Sequence, residues 1–272
     1  MILWFETAGI ILISALSIFI GRYFSRLKSY YWTIGYFFPL FLIALLLIAR
    51  YYNTLSFTHP FNWFIAGRAR FAVLSLAVCM GLTTPLSRLP KKIEKVLICV
   101  IMFLIVTWFS VLPFVIPAIT KNYLLNITTR YDSSGICRQS TDYTCGPAAA
   151  VTALDKLGFS AQEGEIAVLS QSSPIVGTLP TMLCSTLNNL YGSEGLKCNY
   201  RRFNSIEQLK ASGLTLAIIK SGFLLDHCVV VLDVFDDIVE IADPVTGKQS
   251  MPLEKFEKIW RFSGIVLERG AI

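Results

Sequence analysis

A glutamine, a cysteine, a histidine and an aspartate stand in an order that suits nucleophilic catalysis. Gln139 precedes Cys145 by six residues in the run Cys137-Arg-Gln-Ser-Thr-Asp-Tyr-Thr-Cys-Gly-Pro. The chain holds two histidines, His59 and His227, and only His227 shares the C-terminal half with Cys145. Asp243 lies sixteen residues beyond His227 and closes the strand-like run Ile238-Val-Glu-Ile-Ala-Asp. A thiol attacks as its thiolate, so the site must stabilise negative sulfur. Gly146-Pro147 followed by Ala148-Ala-Ala-Val-Thr-Ala-Leu154 predicts a helix that opens at Cys145, with proline in the first turn. The positive pole of that helix and a neighbouring imidazolium would both favour the thiolate.

The other three residues take complementary parts. His227 begins His-Cys-Val-Val-Val-Leu-Asp-Val, a β-branched run that predicts a buried strand. Asp243 could hold the far ring nitrogen and fix the tautomer. Gln139 could donate its amide to a developing oxyanion beside the Cys145 N–H. Each residue alone has an ordinary reading: a small buried thiol, a satisfied histidine, a turn aspartate in Asp243-Pro-Val-Thr-Gly247. Their joint order carries the catalytic reading. Asp142 and Tyr143 flank the nucleophile, and Gly146, Gly177 and Thr178 are further candidates to line a substrate groove.

Four segments in the correct order resemble the papain-like cysteine peptidases of the bacteriocin-processing, double-glycine family. They are Gln139 to Gly146; Pro174-Ile-Val-Gly-Thr-Leu-Pro-Thr-Met-Leu183; Asp226-His-Cys-Val-Val-Val-Leu-Asp-Val-Phe-Asp-Asp; and Ile241-Ala-Asp-Pro through Trp260. The resemblance covers roughly residues 135–267. It implies Cys145 as nucleophile, His227 as base, Asp243 as orienting residue and Gln139 as oxyanion donor. It also implies an α+β papain-like domain, a helical lobe plus an antiparallel sheet, acting on a peptide or protein substrate. In exporters with this domain the peptidase precedes the membrane segment and an ATPase follows. Here the apolar part comes first, and no Gly-rich phosphate loop ending in Lys-Ser/Thr occurs. An exporter of that layout is therefore not expected, although a secretion system remains a candidate partner.

Composition divides the chain. Hydrophobic residues make up 54%, with the excess before residue 119. Residues 1–118 carry ten Lys/Arg and two acids, a net of +8; residues 119–272 carry fourteen and sixteen, a net of −2. The overall +6 thus belongs to the apolar half, and the second half lacks a basic footprint for nucleic acid. With no Cys-x-x-Cys pair and no histidine–carboxylate cluster, neither a metal nor another cofactor is expected. The expected organisation is a transmembrane helical region at 1–118, a linker at 119–134 and the peptidase domain at 135–272.

Four apolar spans are read in the first region: Ile2–Ile20, Tyr31–Ala49, Phe71–Pro85 and Val96–Pro117. The third is short unless Phe61–Ala69 extends it, since a crossing needs about 20 apolar residues. The first and third loops carry seven Lys/Arg against three in the second, which puts the first and third in the cytoplasm. Four spans then leave both termini, and Cys145, outside the cytoplasmic membrane. Without the third span the parity inverts. Besides Cys145 the second half has Cys137, Cys184, Cys198 and Cys228, enough for two disulfides or for four reduced thiols.

In the catalytic half the pattern predicts helices at Cys145–Leu157, Gln162–Leu169, Thr178–Tyr191, Ser205–Ala211 and Leu253–Trp260. It predicts strands at Lys197–Phe203, Leu214–Lys220, Asp226–Asp236 and Ile238–Ala242, with Gly264–Leu267 as an edge strand. Helices before antiparallel strands is an α+β order. The leading expectation is a membrane-anchored cysteine endopeptidase. A transpeptidase or amidase could use the same acyl-enzyme, and a leader-binding module could use the fold without chemistry.

Overall fold

The computed structural model describes residues 2–28, 30–59, 61–62, 69–222 and 225–270. The chain forms two compact units, Met1–Ala118 and Ile119–Ile272.

The first unit contains helices α1 (Ile2–Ser25), α2 (Ile34–Tyr51), α3 (Ala69–Thr83), α4 (Lys92–Val106) and the start of α5 (Leu112–Leu125). Large apolar side chains cover much of its outside, and its interior mixes small polar with apolar residues. Leu12, Phe19 and Phe37 point outward at 70%, 72% and 69% exposure, while Ser17, Ser75 and Thr83 are buried. Small residues line the seam between α1 and α3. Ser14 Oγ lies 2.5 Å from Ser75 Oγ. A Cβ on Gly21 would lie 2.7 Å from the Met80 carbonyl oxygen. Ser87 N–H donates to Ser25 Oγ at 2.9 Å. Such small-residue seams bring helix backbones close where hydrophobic burial cannot drive association.

Two segments, Ala8–Ser25 and Tyr31–Ala49, are long and apolar enough to cross a membrane, with mean hydropathies of 1.7 and 2.2. Only these two of the four expected spans meet that criterion among the described residues. α3 has 15 residues, about 22 Å at 1.5 Å per residue, against about 30 Å of hydrocarbon. Most of its expected extension, 63–68, lies outside the described residues. The fourth apolar run is interrupted by a π turn at Thr107–Val111. Pro113 follows directly; its ring cannot donate an N–H and crowds the carbonyl one turn back, which is where helices widen or kink.

The second unit is an α+β domain. After α5 come β1 (Arg130–Tyr131) and β2 (Cys137–Arg138), then α6 (Cys145–Lys156), α7 (Glu163–Leu169) and α8 (Pro180–Tyr191). There follow β3 (Leu196–Arg202), α9 (Ile206–Lys210), β4 (Thr215–Gly222), β5 (Leu225–Val234), β6 (Ile238–Asp243), β7 (Gly247–Pro252), α10 (Leu253–Ile259) and β8 (Trp260–Arg269). The six long strands form one antiparallel sheet in the order β3-β8-β4-β5-β6-β7.

Strand periodicity explains the two cores. Leu216, Ile218, Val230, Ala242 and Ile265 pack in one apolar cluster with Ala149, Val151, Leu154, Leu183 and Leu187 of the helices. Ala217, Ile219, Val229, Val231 and Ile241 pack in the other with Leu209, Phe256 and Trp260. Alternate side chains of a strand point to opposite faces, so a sheet covered on both sides reads as continuous apolar runs. Trp260 anchors the second cluster, 5.3 Å from Phe203 and 5.6 Å from Phe256 between ring centres.

The sheet differs from expectation in two places. The strand around Gly264–Leu267 is not an edge: β8 pairs with β3 on one side and β4 on the other. Residues 263–267 are accordingly buried throughout, and a Cβ on Gly264 would sit 2.8 Å from the Leu216 oxygen. The edges are β3 and β7. β7, Gly-Lys-Gln-Ser-Met-Pro, carries no apolar alternation until Met251 and forms because the turn at Gly247 folds it back along β6. In the region expected to be a linker, α5 continues to Leu125, and Leu124 is buried.

Candidate active site

α6 begins at Cys145, and Gly146 to Leu154 are all buried, so the helix is fixed along its length. Thr144, at the N-cap position, makes no side-chain cap bond to the helix. Its buried hydroxyl turns back, accepting the Thr141 N–H at 3.1 Å and donating to the Thr141 oxygen at 3.2 Å. That closes the Thr141–Thr144 turn and leaves the first-turn amides of α6 without a side-chain cap. Uncapped helix amides and the helix dipole favour an anion at this end.

His227 lies on β5, opposite Ile219 of β4, and Asp243 ends β6. His227 Nε2 stands 2.8 Å from Asp243 Oδ1. The Cys145 thiol lies near enough to the same ring to act on its charge, and Nδ1 is the ring nitrogen that Asp243 leaves open. Burial of the ring lowers the His227 pKa, but the bonds and charges of Asp243 and Cys145 outweigh it and raise the value to about 9. Burial likewise raises the Asp243 carboxyl. The His227 bond, the Val245 N–H and the imidazolium charge win, and hold it below the usual carboxylate value. Val245 N–H donates to Asp243 Oδ1 at 2.7 Å. Gly247, at φ +89°, closes this turn in a backbone region that favours glycine.

Gln139 is joined to that turn rather than to the helix. Its N–H donates to the Pro244 oxygen at 3.1 Å, and Arg138 Nη2 bonds the Val245 oxygen. Gln139 Oε1 is buried without a hydrogen-bond partner. Cys137 N–H donates to Thr152 Oγ1 on α6 at 2.9 Å, tying β2 to the nucleophile helix. The fold thus brings Cys145 beside a hydrogen-bonded His227–Asp243 pair, with the Gln139 N–H bonded to the residue after the aspartate.

Of the remaining candidates, Thr178 meets both Tyr143 and Gly146. Thr178 Oγ1 donates to the Tyr143 oxygen at 3.4 Å and lies 2.6 Å from Ser172 Oγ. Gly146 is buried, and a Cβ there would sit 3.1 Å from Thr178 Cβ and 3.3 Å from Leu183 Cδ2, so it serves close packing at the helix start. Gly177 has φ +71° and open space where a Cβ would stand. Asp142 is exposed and Tyr143 half-buried. Sequence reasoning passed over Thr144, Thr152 and Glu163, whose partners are hydroxyls or backbone groups that leave no spacing pattern.

All seven cysteines are free thiols. Cys184 and Cys198 are neighbouring thiols, and their interaction lowers Cys184 and raises Cys198. Asn188 braces them, donating to the Cys198 oxygen at 2.8 Å and accepting the Cys198 N–H at 2.9 Å. No group of three or more potential metal-ligating side chains occurs among the described residues.

A cysteine at a helix N-terminus, beside a sheet histidine that is bonded to an aspartate, is the arrangement of a cysteine peptidase. The Peptidase C39 family matches residues 133–270, and the chain belongs to it. The second unit is accordingly a cysteine peptidase domain of papain-like fold. An uncharacterized protein of Methanothermobacter marburgensis is 30% identical over 134 residues, 49% of this chain and 88% of that one. One of Methanothermobacter thermautotrophicus is 26% identical over 143 residues, 53% and 94% of the two chains. Among solved structures, a double glycine motif protease from an AMS/PCAT transporter, in complex with the leader peptide, is 17% identical at a TM-score of 0.42. The similarity covers 53% of this chain and 96% of that one. The peptidase domain of Streptococcus ComA, a bi-functional ABC transporter, is 21% identical at 0.43, covering 49% and 96%.

Proposed function

We propose that the protein is a membrane-anchored cysteine endopeptidase that processes peptides or exported proteins through Cys145, His227, Asp243 and Gln139. The observation that carries this reading is the His227 ring, bonded to Asp243 Oδ1 at 2.8 Å and beside Cys145 at the start of α6. The Cys145 thiolate attacks the scissile carbonyl carbon, forming a C–S bond as the carbonyl oxygen becomes an oxyanion. The Cys145 N–H and the Gln139 amide donate to that oxyanion; turning the amide about its last torsion exchanges its NH2 and oxygen ends. The His227 imidazolium then gives its proton to the departing amine as the C–N bond breaks. Neutral His227 takes a proton from water, and the hydroxide oxygen displaces the sulfur, releasing the acid. Asp243 keeps the ring oriented throughout. Asp142, Tyr143, Gly177 and Thr178 line the approach for the substrate chain, and the open side of Gly177 suits close passage of a peptide backbone. Gly146 would contribute there through its backbone alone.

The outward-facing apolar side chains of the first unit, with small polar residues among those inside, support anchoring in the lipid bilayer by its helices. We read α1, α2, α3 and the α4–α5 run as four crossings, with the Lys/Arg-rich first and third loops in the cytoplasm. That topology puts Cys145 on the outer side, where a double-glycine leader on an exported peptide is the first substrate to try. The test is to label intact cells with a membrane-impermeant thiol-reactive probe, comparing wild type with Cys145→Ala, alongside mass spectrometry of a double-glycine peptide incubated with purified protein. Cys145-dependent labelling without lysis and cleavage of the peptide support the reading. Labelling only after lysis overturns the topology, and no Cys145-dependent cleavage of peptides overturns the peptidase role.

A further inference from the structure

Glu163 is a fully buried carboxylate at the start of α7, eighteen residues after Cys145. Both of its oxygens are spent on one residue. Ser140 N–H donates to Oε1 at 2.8 Å and Ser140 Oγ–H donates to Oε2 at 2.6 Å. Ser140 is the residue after Gln139. Burying a carboxylate is costly unless strong donors satisfy it, so a double bond to one loop residue fixes that loop firmly.

The carboxylate is itself anchored. Glu163 N–H donates to Thr129 Oγ1 at 2.9 Å, and Thr129 Oγ1 bonds Gln162 Oε1 at 2.9 Å. Next to it, a Cβ on Gly164 would lie 2.2 Å from the Leu124 oxygen, so the start of α7 is seated directly on the last turn of α5. Burial, with the Glu163 charge adding to it, pushes the Cys137 thiol up to about 12. On its other side, the Gln139 N–H is held by Pro244. The Gln139 backbone is therefore pinned from both flanks: by the Asp243 turn before Ser140, and by Glu163 after it.

We infer that Glu163 is a positioning residue for the oxyanion side of the site, acting through Ser140 on Gln139. The inference rests on the oxyanion role proposed for Gln139. It separates two properties of the enzyme. Glu163 touches neither Cys145 nor His227, so the reactivity of the thiolate does not depend on it. Stabilisation of a tetrahedral oxyanion does, because the Gln139 amide must be held to within a fraction of an ångström to donate well.

The experiment measures two rate constants at Cys145 in the full-length detergent-solubilised protein. Alkylation by iodoacetamide passes through no oxyanion; acylation by p-nitrophenyl acetate does. Glu163→Gln keeps the size of the side chain and serves where Glu163→Ala fails to fold. In Glu163→Gln, acylation is expected to fall about tenfold, a fraction of the loss for removing an oxyanion donor outright. Alkylation stays within about twofold of wild type, a split that general destabilisation would not produce. In a Gln139→Ala background the Glu163 substitution adds no further loss of acylation, because both act through one amide. Parallel loss of both rates, or a full additional loss in the Gln139→Ala background, overturns the inference. If Gln139→Ala lowers acylation and the Glu163 variants do not, this inference alone falls. If Gln139→Ala itself has no effect, the oxyanion role falls and takes this inference with it.

Discussion

Asp243 Oδ1 accepts from two directions at once, lying 2.8 Å from His227 Nε2 and 2.7 Å from the Val245 nitrogen. The second bond holds the carboxylate in its turn, so the first can hold the ring. With Nε2 occupied, His227 can meet Cys145 only through Nδ1, and the tautomer follows from the turn rather than from the imidazole itself.

The pH dependence follows from that pair. His227 is raised from its ordinary 6.5 to about 9, so the imidazolium needed to protonate the leaving amine persists through neutral pH and is lost near pH 9. Hydrolysis of a peptide substrate should therefore fall through about pH 9. The same shift stabilises the fold fully below 6.5 and loses that contribution as pH rises through about 9. Asp243, held low, contributes stability above the usual carboxylate range that is lost as pH falls below it. A stability maximum between these limits, measured by thermal melting across pH, is the expected outcome.

Asp243→Asn keeps the shape but removes the charge that raises His227. The alkaline limb should move down toward 6.5 and the rate at neutral pH should drop on the order of 10²-fold. Measuring kcat/KM against pH for both proteins decides it; an unmoved limb would show that Asp243 does not set the histidine.

Gly247→Ala forces a Cβ onto a backbone at φ +89°, 2.8 Å from Asp132 Oδ2. A left-handed residue with a side chain costs about 1–2 kcal/mol. Gly247 pairs with Asp243 across the β6–β7 turn. The variant should thus lose both melting temperature and activity, whereas Gly135→Ala, also at positive φ but with open space where its Cβ would stand, should lose only stability.

The α1–α3 seam is testable without any substrate. Ser14→Cys with Ser75→Cys should cross-link under mild oxidation, since the two oxygens are 2.5 Å apart. Adding Gly21→Leu, where even a Cβ clashes with Met80 and Thr83, should abolish the cross-link. Retention of the cross-link would show that the helices do not meet along Gly21.

The elements around the site were legible because each has a local signature. Cys145 opens an alanine-rich helix with proline in its first turn, and His227 opens a run of valines, so period and caps gave both bounds to within a few residues. β7 was not legible, because its hydrogen bonds come from the turn at Gly247 and not from an apolar pattern. The place of β8 inside the sheet was not legible either: strand order depends on which partners meet in space, and its short apolar run fits an edge or a centre equally. Glu163 gave no signal. It reads as an ordinary acidic residue in a first helical turn, and its burial depends on Ser140, twenty-three residues earlier. The α1–α3 seam was hidden for a related reason, since serines and glycines scattered in apolar runs acquire meaning only when two helices are brought face to face.

The most direct test is the rate at which iodoacetamide alkylates Cys145 at neutral pH, followed by peptide mapping and compared with free cysteine and with His227→Ala. If the Cys145–His227–Asp243 line is the catalytic centre, Cys145 reacts faster than free cysteine, its modification tracks loss of peptide cleavage, and His227→Ala slows it. If Cys145 reacts no faster than free cysteine and His227→Ala changes nothing, the account of this site is wrong.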